Sequence, residues 1–107
     1  MLLFHIDDAG RWPNLLANIR NAMASDPECG LWVIANGQAP VSLWAHCHWR
    51  REIEERILAG LRVEFCENSL RNMGLDPEGR PAGSHLVPAG VIAIMKAQAG
   101  GAFYIKP

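Results

Sequence analysis

Residues 62–74, RVEFCENSLRNMG, contain the transition that decides the fold. Apolar and polar side chains alternate over Arg62–Phe65, which is typical of a β-strand. The residues that follow fit a two-turn helix ending at Gly74, as many helices end at glycine. Cys66 lies at the turn between the two segments. The stretch therefore predicts a strand followed directly by a helix, with a thiol at their junction.

The position of Cys66 favours a reactive thiol. The first backbone N–H groups of a helix lack partners within the helix and favour negative charge. A cysteine there can have a lowered pKa, and the thiolate is the nucleophilic form. Glu67 follows directly, and its charge is expected to oppose ionisation of the thiol. The alternative is a buried, inert thiol, since free cysteine is among the most buried residue types.

Strand-like and helix-like segments alternate along the chain. Strands are predicted at residues 2–6, 31–35, 62–65, 85–87 and 102–105. Besides the short helix after Cys66, helices are predicted from Pro13, Trp49 and Pro88. Ile53, Ile57 and Leu58 of the second are expected to face inward, and Val91, Ile94 and Met95 of the last to point the same way, towards the core. Such alternation favours a mainly parallel sheet with helices on both faces. The predicted fold class is therefore α/β, a three-layer α/β/α domain with a mainly parallel five-stranded sheet spanning residues 1–107.

Ligands of open parallel sheets bind at the carboxyl ends of the strands, so the loops that follow the strands are candidate sites. Cys66 is the only strong nucleophile in those loops, whereas Cys29 lies at the amino end of a strand. The candidate pocket residues around Cys66 are Asp7, Asp8, Asn36, Gly37, Glu67, Asn68 and His85. His5 lies within an apolar strand and is interpreted as a histidine of the core.

The polar pairs in these loops also have structural interpretations. Asp7 and Asp8 could act as a general base or bind a metal, but adjacent acids after a strand more often form a turn or cap a helix. Asn36 and Gly37 predict a tight turn, although their backbone N–H groups could contact an anion. His85 begins the predicted fourth strand and could approach Cys66.

His46, Cys47 and His48 form the main competing motif. Imidazole and thiolate groups are ligands of zinc and related metals. Zinc sites usually require a fourth ligand and a wider spacing within each ligand pair, so metal binding is the weaker alternative. The favoured interpretation is an exposed turn before a helix, which could form part of an oligomer contact.

Composition excludes several classes of protein. The 107 residues have a net charge of −1, and the basic residues are scattered, which argues against nucleic-acid binding. No apolar stretch approaches the ~20 residues of a membrane span. Three cysteines without regular spacing do not indicate a disulfide framework. We therefore expect a cytoplasmic protein.

Trp12, Trp44 and Trp49 lie in or beside connecting segments. Large aromatic side chains in such segments often mark interfaces, so self-association of the protein is also expected.

The order and spacing of six stretches are distinctive. They are Leu3–Asp7, the helix with Asn18 and Asn21, Val33–Gly37, Val63–Leu70, Val87–Val91 and Tyr104–Pro107. Together they resemble the DsrE/DsrF-like family, also called the YchN-like fold, over nearly the whole chain. The resemblance implies a three-layer domain with five parallel strands that assembles into homo-oligomers such as trimers or hexamers.

The best-understood branches of that family pass sulfur between proteins as a cysteine persulfide. Their acceptor cysteine follows the third strand, which is the position of Cys66 here. The resemblance therefore implies a sulfur-relay carrier or sulfurtransferase that uses Cys66, with sulfur donor and acceptor proteins as partners and no metal or organic cofactor. Other members have no assigned activity, so the alternative is an oligomeric small-ligand-binding module without sulfur transfer.

Overall fold

A computed structural model describes residues 1–107 and contains five β-strands and four α-helices. The strands are β1 (Leu2–Ile6), β2 (Leu31–Ala35), β3 (Arg62–Cys66), β4 (His85–Val87) and β5 (Phe103–Ile105). The helices are α1 (Trp12–Ser25), α2 (His48–Leu58), α3 (Glu67–Asn72) and α4 (Gly90–Ala99), with short 3-10 turns at Ala39–Leu43 and Pro77–Gly79. No helix combines the length and apolar character that a membrane span requires.

The five strands form one sheet in the order β4-β3-β2-β1-β5, and every neighbouring pair is parallel. Helices cover both faces, so the predicted three-layer α/β/α fold is confirmed. Because the strands are parallel, their carboxyl ends all lie at one edge of the sheet. Residues distant in sequence become neighbours at that edge. Cys66 and Val87, for example, are paired across β3 and β4.

The alternation of side chains along the strands divides the core into two unequal parts. Phe4, Val33 and Phe65 face α1 and α2 and belong to a cluster of 16 buried residues. Leu3 and Ile34 face the opposite way and pack beneath α4 in a cluster of 4 buried residues. The α4 face of the sheet is therefore thinly covered, and Cys66 lies on that face by the same alternation.

Three apolar residues predicted to face inward are exposed instead. Leu58 ends α2 and is 90% exposed, while Val91 and Met95 on α4 are 64% and 55% exposed. The prediction for α4 was right for Ile94 and wrong for Val91 and Met95, because the buried stripe of this helix runs through Gly90, Ile94 and Ala97. That stripe has helical spacing but is rotated away from Val91 and Met95, which lie on the outer side of the helix.

The tryptophans do not form the exposed aromatic cluster predicted from the sequence. Trp12 is fully buried in the larger core, and its indole Nε1–H donates to the Ala39 carbonyl oxygen at 2.8 Å. Trp44 is partly buried and packs edge-on against Phe65, with ring centroids 5.1 Å apart. A buried indole needs a hydrogen-bond acceptor, and the 3-10 turn after β2 supplies one for Trp12.

Candidate functional site

Cys66 lies where three elements meet at the carboxyl edge of the sheet. It is the last residue of β3 and the residue that caps α3, and its side chain faces the beginning of α4. Cys66 is a free cysteine that is only 5% exposed. The groups that surround the sulfur therefore decide whether Cys66 is a neutral thiol or a charged thiolate.

Two opposing influences act on the pKa of the Cys66 thiol. Burial raises the pKa of the thiol, but hydrogen bonds from the Ser69 hydroxyl and from the backbone N–H groups of Gly90, Ser69 and Asn68 lower it. The net result is a pKa below the ordinary value. These donors favour the thiolate, since hydrogen bonds to the charged form of a group stabilise it. Glu67 was expected to oppose ionisation, yet the pKa of Cys66 is lowered overall.

The Ser69 hydroxyl is itself held in place by the loop after β2. The Gly37 N–H donates to Ser69 Oγ at 2.9 Å, which leaves the hydroxyl hydrogen free to point at Cys66. Gly37 has a φ of +57°, and a Cβ atom there would lie 2.9 Å from the Asp7 carbonyl oxygen. A side chain at position 37 would therefore collide with the end of β1.

Gly90 allows α4 to begin directly against Cys66. A Cβ atom at Gly90 would lie 3.1 Å from Asn36 Cβ and 3.3 Å from Cys66 Cβ. Both neighbours are fixed to the backbone, so a side chain at position 90 would push the helix away from the sheet. The close approach brings the Gly90 N–H to the sulfur and places Asn36 beside the same point.

Three further side chains form a chain of hydrogen bonds next to Cys66. His5 Nε2 lies 2.8 Å from Asn36 Oδ1, and His5 Nδ1 lies 2.6 Å from the Tyr104 hydroxyl. His5 was interpreted as a core histidine, but it is only partly buried and its ring bonds two polar groups at the carboxyl edge. The sequence contained one indication of this role, because His5 lies near the carboxyl end of a predicted strand. It contained none for Tyr104, because His5, the hydrogen-bond partner of Tyr104, is 99 positions away.

Asp7 and Asp8 lie at this edge but are occupied by other contacts. Asp7 Oδ2 forms an ion pair with Lys106 Nζ at 2.7 Å, and that hydrogen bond holds the pKa of Asp7 below its ordinary value. Asp8 Oδ1 accepts from the Gly10 N–H at 2.7 Å, which is the turn-forming contact expected of an acid after a strand. Neither carboxylate forms a hydrogen bond with Cys66.

The remaining pocket candidates divide between the site and its surroundings. Asn68 contributes its backbone N–H to Cys66, while its side-chain oxygen accepts from Arg71 at 3.2 Å. Glu67 begins α3 and is partly exposed. His85 pairs with Glu64 in the sheet, two residues before the pair formed by Cys66 and Val87. His85 therefore lies at the amino end of β4, and it forms no hydrogen bond with Cys66.

His46, Cys47 and His48 are not gathered into a metal site. No group of three or more His, Cys, Asp or Glu side chains in the chain is arranged to hold a metal ion. Cys47 donates its S–H to the Ser42 carbonyl oxygen at 3.5 Å, and the ring of His48 packs edge-on against Trp49. These contacts stabilise the start of α2.

A groove of about 390 Å³ lies on the α4 face of the sheet, beside the site. Its lining includes Trp32, Arg62, Glu64, Ile92 and Lys96, but not Cys66. Glu64 is 5% exposed, and it accepts hydrogen bonds from Trp32 Nε1 at 2.6 Å and from Arg62 at 3.0 Å. The Glu64 carboxylate is therefore already bound by Trp32 and Arg62.

The fold and site define a class: a three-layer α/β protein with a free cysteine at the carboxyl edge of a parallel sheet. No family model matches the chain, and no curated protein matches it. A solved structure of a protein of unknown function from Methanobacterium thermoautotrophicum, MTH1491, is similar over 99% of this chain and 97% of its own. The two share 31% sequence identity, with a TM-score of 0.90. The chain belongs to the same family as MTH1491.

Proposed function

We propose that the protein is a persulfide carrier or sulfurtransferase that uses Cys66, as in the DsrE/DsrF-like family. The supporting observation is the position of Cys66 directly before α3 and against the start of α4, together with a thiol pKa held below its ordinary value by hydrogen bonding to Ser69 and nearby backbone N–H groups. A thiolate is the nucleophile of thiol chemistry, and such donors make it available.

The reaction would be a transfer between sulfur atoms. The Cys66 thiolate attacks the outer sulfur of a donor persulfide, so a bond forms between Sγ and that sulfur while the donor S–S bond breaks. The donor leaves as a thiolate and takes a proton from water. The next thiolate, on an acceptor protein, attacks the outer sulfur on Cys66 in the same way. No oxidant, metal or organic cofactor enters the balance.

This function carries expectations about setting and partners. The protein would act in the cytoplasm, where free thiols persist, and would exchange sulfur with a donor protein and an acceptor protein. A homo-oligomer is proposed as well. The exposed apolar side chains of α4, Val91 and Met95, support it, because such residues commonly mark an interface when they lie together.

The alternative function is binding of a small ligand without sulfur transfer. The low exposure of Cys66, 5%, favours it, because a carrier thiol must be reached by two protein partners. The groove beneath α4 offers a volume of about 390 Å³, within the ordinary range for small-ligand pockets. The reactivity of Cys66 separates the two functions.

Loading with sulfur tests the proposal directly. The reduced protein is treated with inorganic polysulfide, and each cysteine-containing peptide is analysed by mass spectrometry. We expect one added sulfur on Cys66, none on this peptide in Cys66→Ser, and little on Cys29 or Cys47, which serve as controls in the same molecule. If Cys66 gains no more sulfur than Cys29 and Cys47, the carrier function is wrong and the binding function is favoured.

A further inference from the structure

The groove on the α4 face of the sheet exists because α4 covers only part of that face. The helix packs above β2 and β1, where it forms the smaller core. The sheet order places β3 and β4 beyond β2, so they lie to one side of the helix. Side chains of these strands, such as Glu64 and Val87, therefore form a floor beside α4, and the space between them is the groove of about 390 Å³.

The wall of the groove is a second stripe of α4, next to the stripe that meets the sheet. Ala89, directly before the helix, and Ile92, Ala93 and Lys96 within it all line the groove. Their spacing of three, one and three residues places them along one side of a helix. The first three are apolar, and Lys96 is exposed. The wall therefore combines an apolar surface with one ammonium group.

The polar part of the floor is formed by Trp32, Arg62 and Glu64. The guanidinium carbon of Arg62 lies 3.9 Å from the centroid of the Trp32 ring, and Arg62 Nη2 donates to Glu64 Oε2 at 3.0 Å. Trp32 Nε1 donates to the other carboxylate oxygen at 2.6 Å. Because stacking and an ion pair both hold the guanidinium, little of its freedom would be lost when a ligand binds to it.

The charges that this groove exposes to a ligand are positive. Glu64 is 5% exposed, and both of its oxygens already accept hydrogen bonds. The side chain of Arg62 is 50% exposed, and a single N–H of its guanidinium has a partner in the chain. Lys96 is exposed and, unlike Lys106, forms no ion pair. The whole chain has a net charge of −1, so the positive charge is a local property of the groove.

We propose that the groove binds a small organic anion, a carboxylate with an apolar body. Arg62 presents a planar fork that matches a carboxylate, and Lys96 adds a second positive charge. The apolar wall formed by Ala89, Ile92 and Ala93 contacts the body of the ligand. Cys66 does not line the groove, so the proposal goes beyond sulfur transfer and does not depend on it.

The test is a titration of the isotope-labelled full-length protein with naphthoate, followed by NMR. The indole N–H signal of Trp32 reports on the groove, and the signals of the other tryptophans are internal controls. Naphthamide is the matched ligand, because it keeps the rings and lacks the charge. Lys96→Met removes the ammonium group and keeps an apolar stem. Lys106→Met is the matched variant, since it changes the net charge equally and Lys106 does not line the groove.

We expect naphthoate to shift the Trp32 signal with a Kd of about 1 mM or tighter, an ordinary affinity for a ligand of this size. Naphthamide should bind about tenfold more weakly, because Arg62 and Lys96 then have no anion to bind. Lys96→Met should raise the Kd for naphthoate about threefold, the effect of one exposed ion pair. Lys106→Met should leave the Kd unchanged.

Three outcomes would overturn the proposal. The first is the absence of a saturable shift at Trp32, and the second is equal binding of naphthoate and naphthamide. The third is an equal effect of Lys96→Met and Lys106→Met, which would assign the attraction to overall charge. A Trp32 signal that shifts with protein concentration but not with naphthoate would instead show a second copy of the chain in the groove.

Discussion

Replacing Ser69 with alanine should make Cys66 less reactive by raising the pKa of its thiol. The hydroxyl of Ser69 is the largest of the contributions that lower this pKa. It accepts from the Gly37 N–H at 2.9 Å, which polarises its own O–H group towards the sulfur. Removing one hydroxyl therefore removes the strongest donor and leaves the three backbone N–H donors in place.

The size of the effect follows from the energy of one hydrogen bond. A hydrogen bond to a charged group contributes roughly 1.5–3 kcal/mol, and we take about 1.4 kcal/mol because water replaces part of it at the partly exposed Ser69. That energy corresponds to a rise of about one pH unit in the pKa. The thiolate becomes intrinsically more nucleophilic as its pKa rises, so the alkylation rate at a pH below both midpoints should fall only about threefold.

The assay is alkylation of the reduced protein by iodoacetamide across the pH range, with each cysteine peptide quantified by mass spectrometry. Cys29 and Cys47 are internal controls, and Ser69→Thr is the matched variant because it keeps a hydroxyl. We expect a higher midpoint for Cys66 in Ser69→Ala and a nearly unaltered one in Ser69→Thr. Identical midpoints in the unaltered protein and Ser69→Ala would refute the assignment of the hydroxyl as a thiolate donor.

Two further predictions concern the Asp7–Lys106 ion pair and the exposed face of α4. Asp7→Asn should destabilise the protein by less than about 1 kcal/mol at neutral pH, since Asp7 and Lys106 are both nearly half exposed. The pKa of Asp7 is lowered in the folded protein, so the stabilisation by this ion pair should be lost as the pH falls through that pKa. The free energies of unfolding of the unaltered protein and Asp7→Asn, measured with urea, should therefore converge in acid. An undiminished difference in acid would contradict this. Met95→Glu places a charge on the exposed face of α4 and should reduce the molecular mass measured by light scattering. Leu58→Glu, on α2 at the opposite face of the sheet, should leave that mass unchanged. A monomeric unaltered protein would contradict the proposed assembly.

The order and type of the main elements could be predicted from local patterns alone. The apolar run at Leu2–Ile6 and that at Leu31–Ala35 are strands with the predicted bounds. The strand, cysteine and helix of residues 62–72 are also present. These segments are short and are bounded by turn residues, so the local signal and the tertiary structure agree.

The orientation of α4 could not be predicted in the same way. Nearly every position from Gly90 to Met95 is apolar, so the sequence has no polar side to show which face meets the sheet. The close contact of Gly90 with Asn36 and Cys66 decides the rotation of the helix. That contact depends on three segments far apart in sequence, which no periodicity within one segment reveals.

The candidate site draws on four of the five strands, and this explains both what local reasoning found and what it missed. Cys66 is visible from the sequence because a strand and a helix meet at it. His5 acquires its partners only because β1 lies between β2 and β5, which brings Asn36 and Tyr104 to either side of it. The thiol is thus activated by its own segment and by α4, whereas the hydrogen bonds of His5 depend on the sheet order.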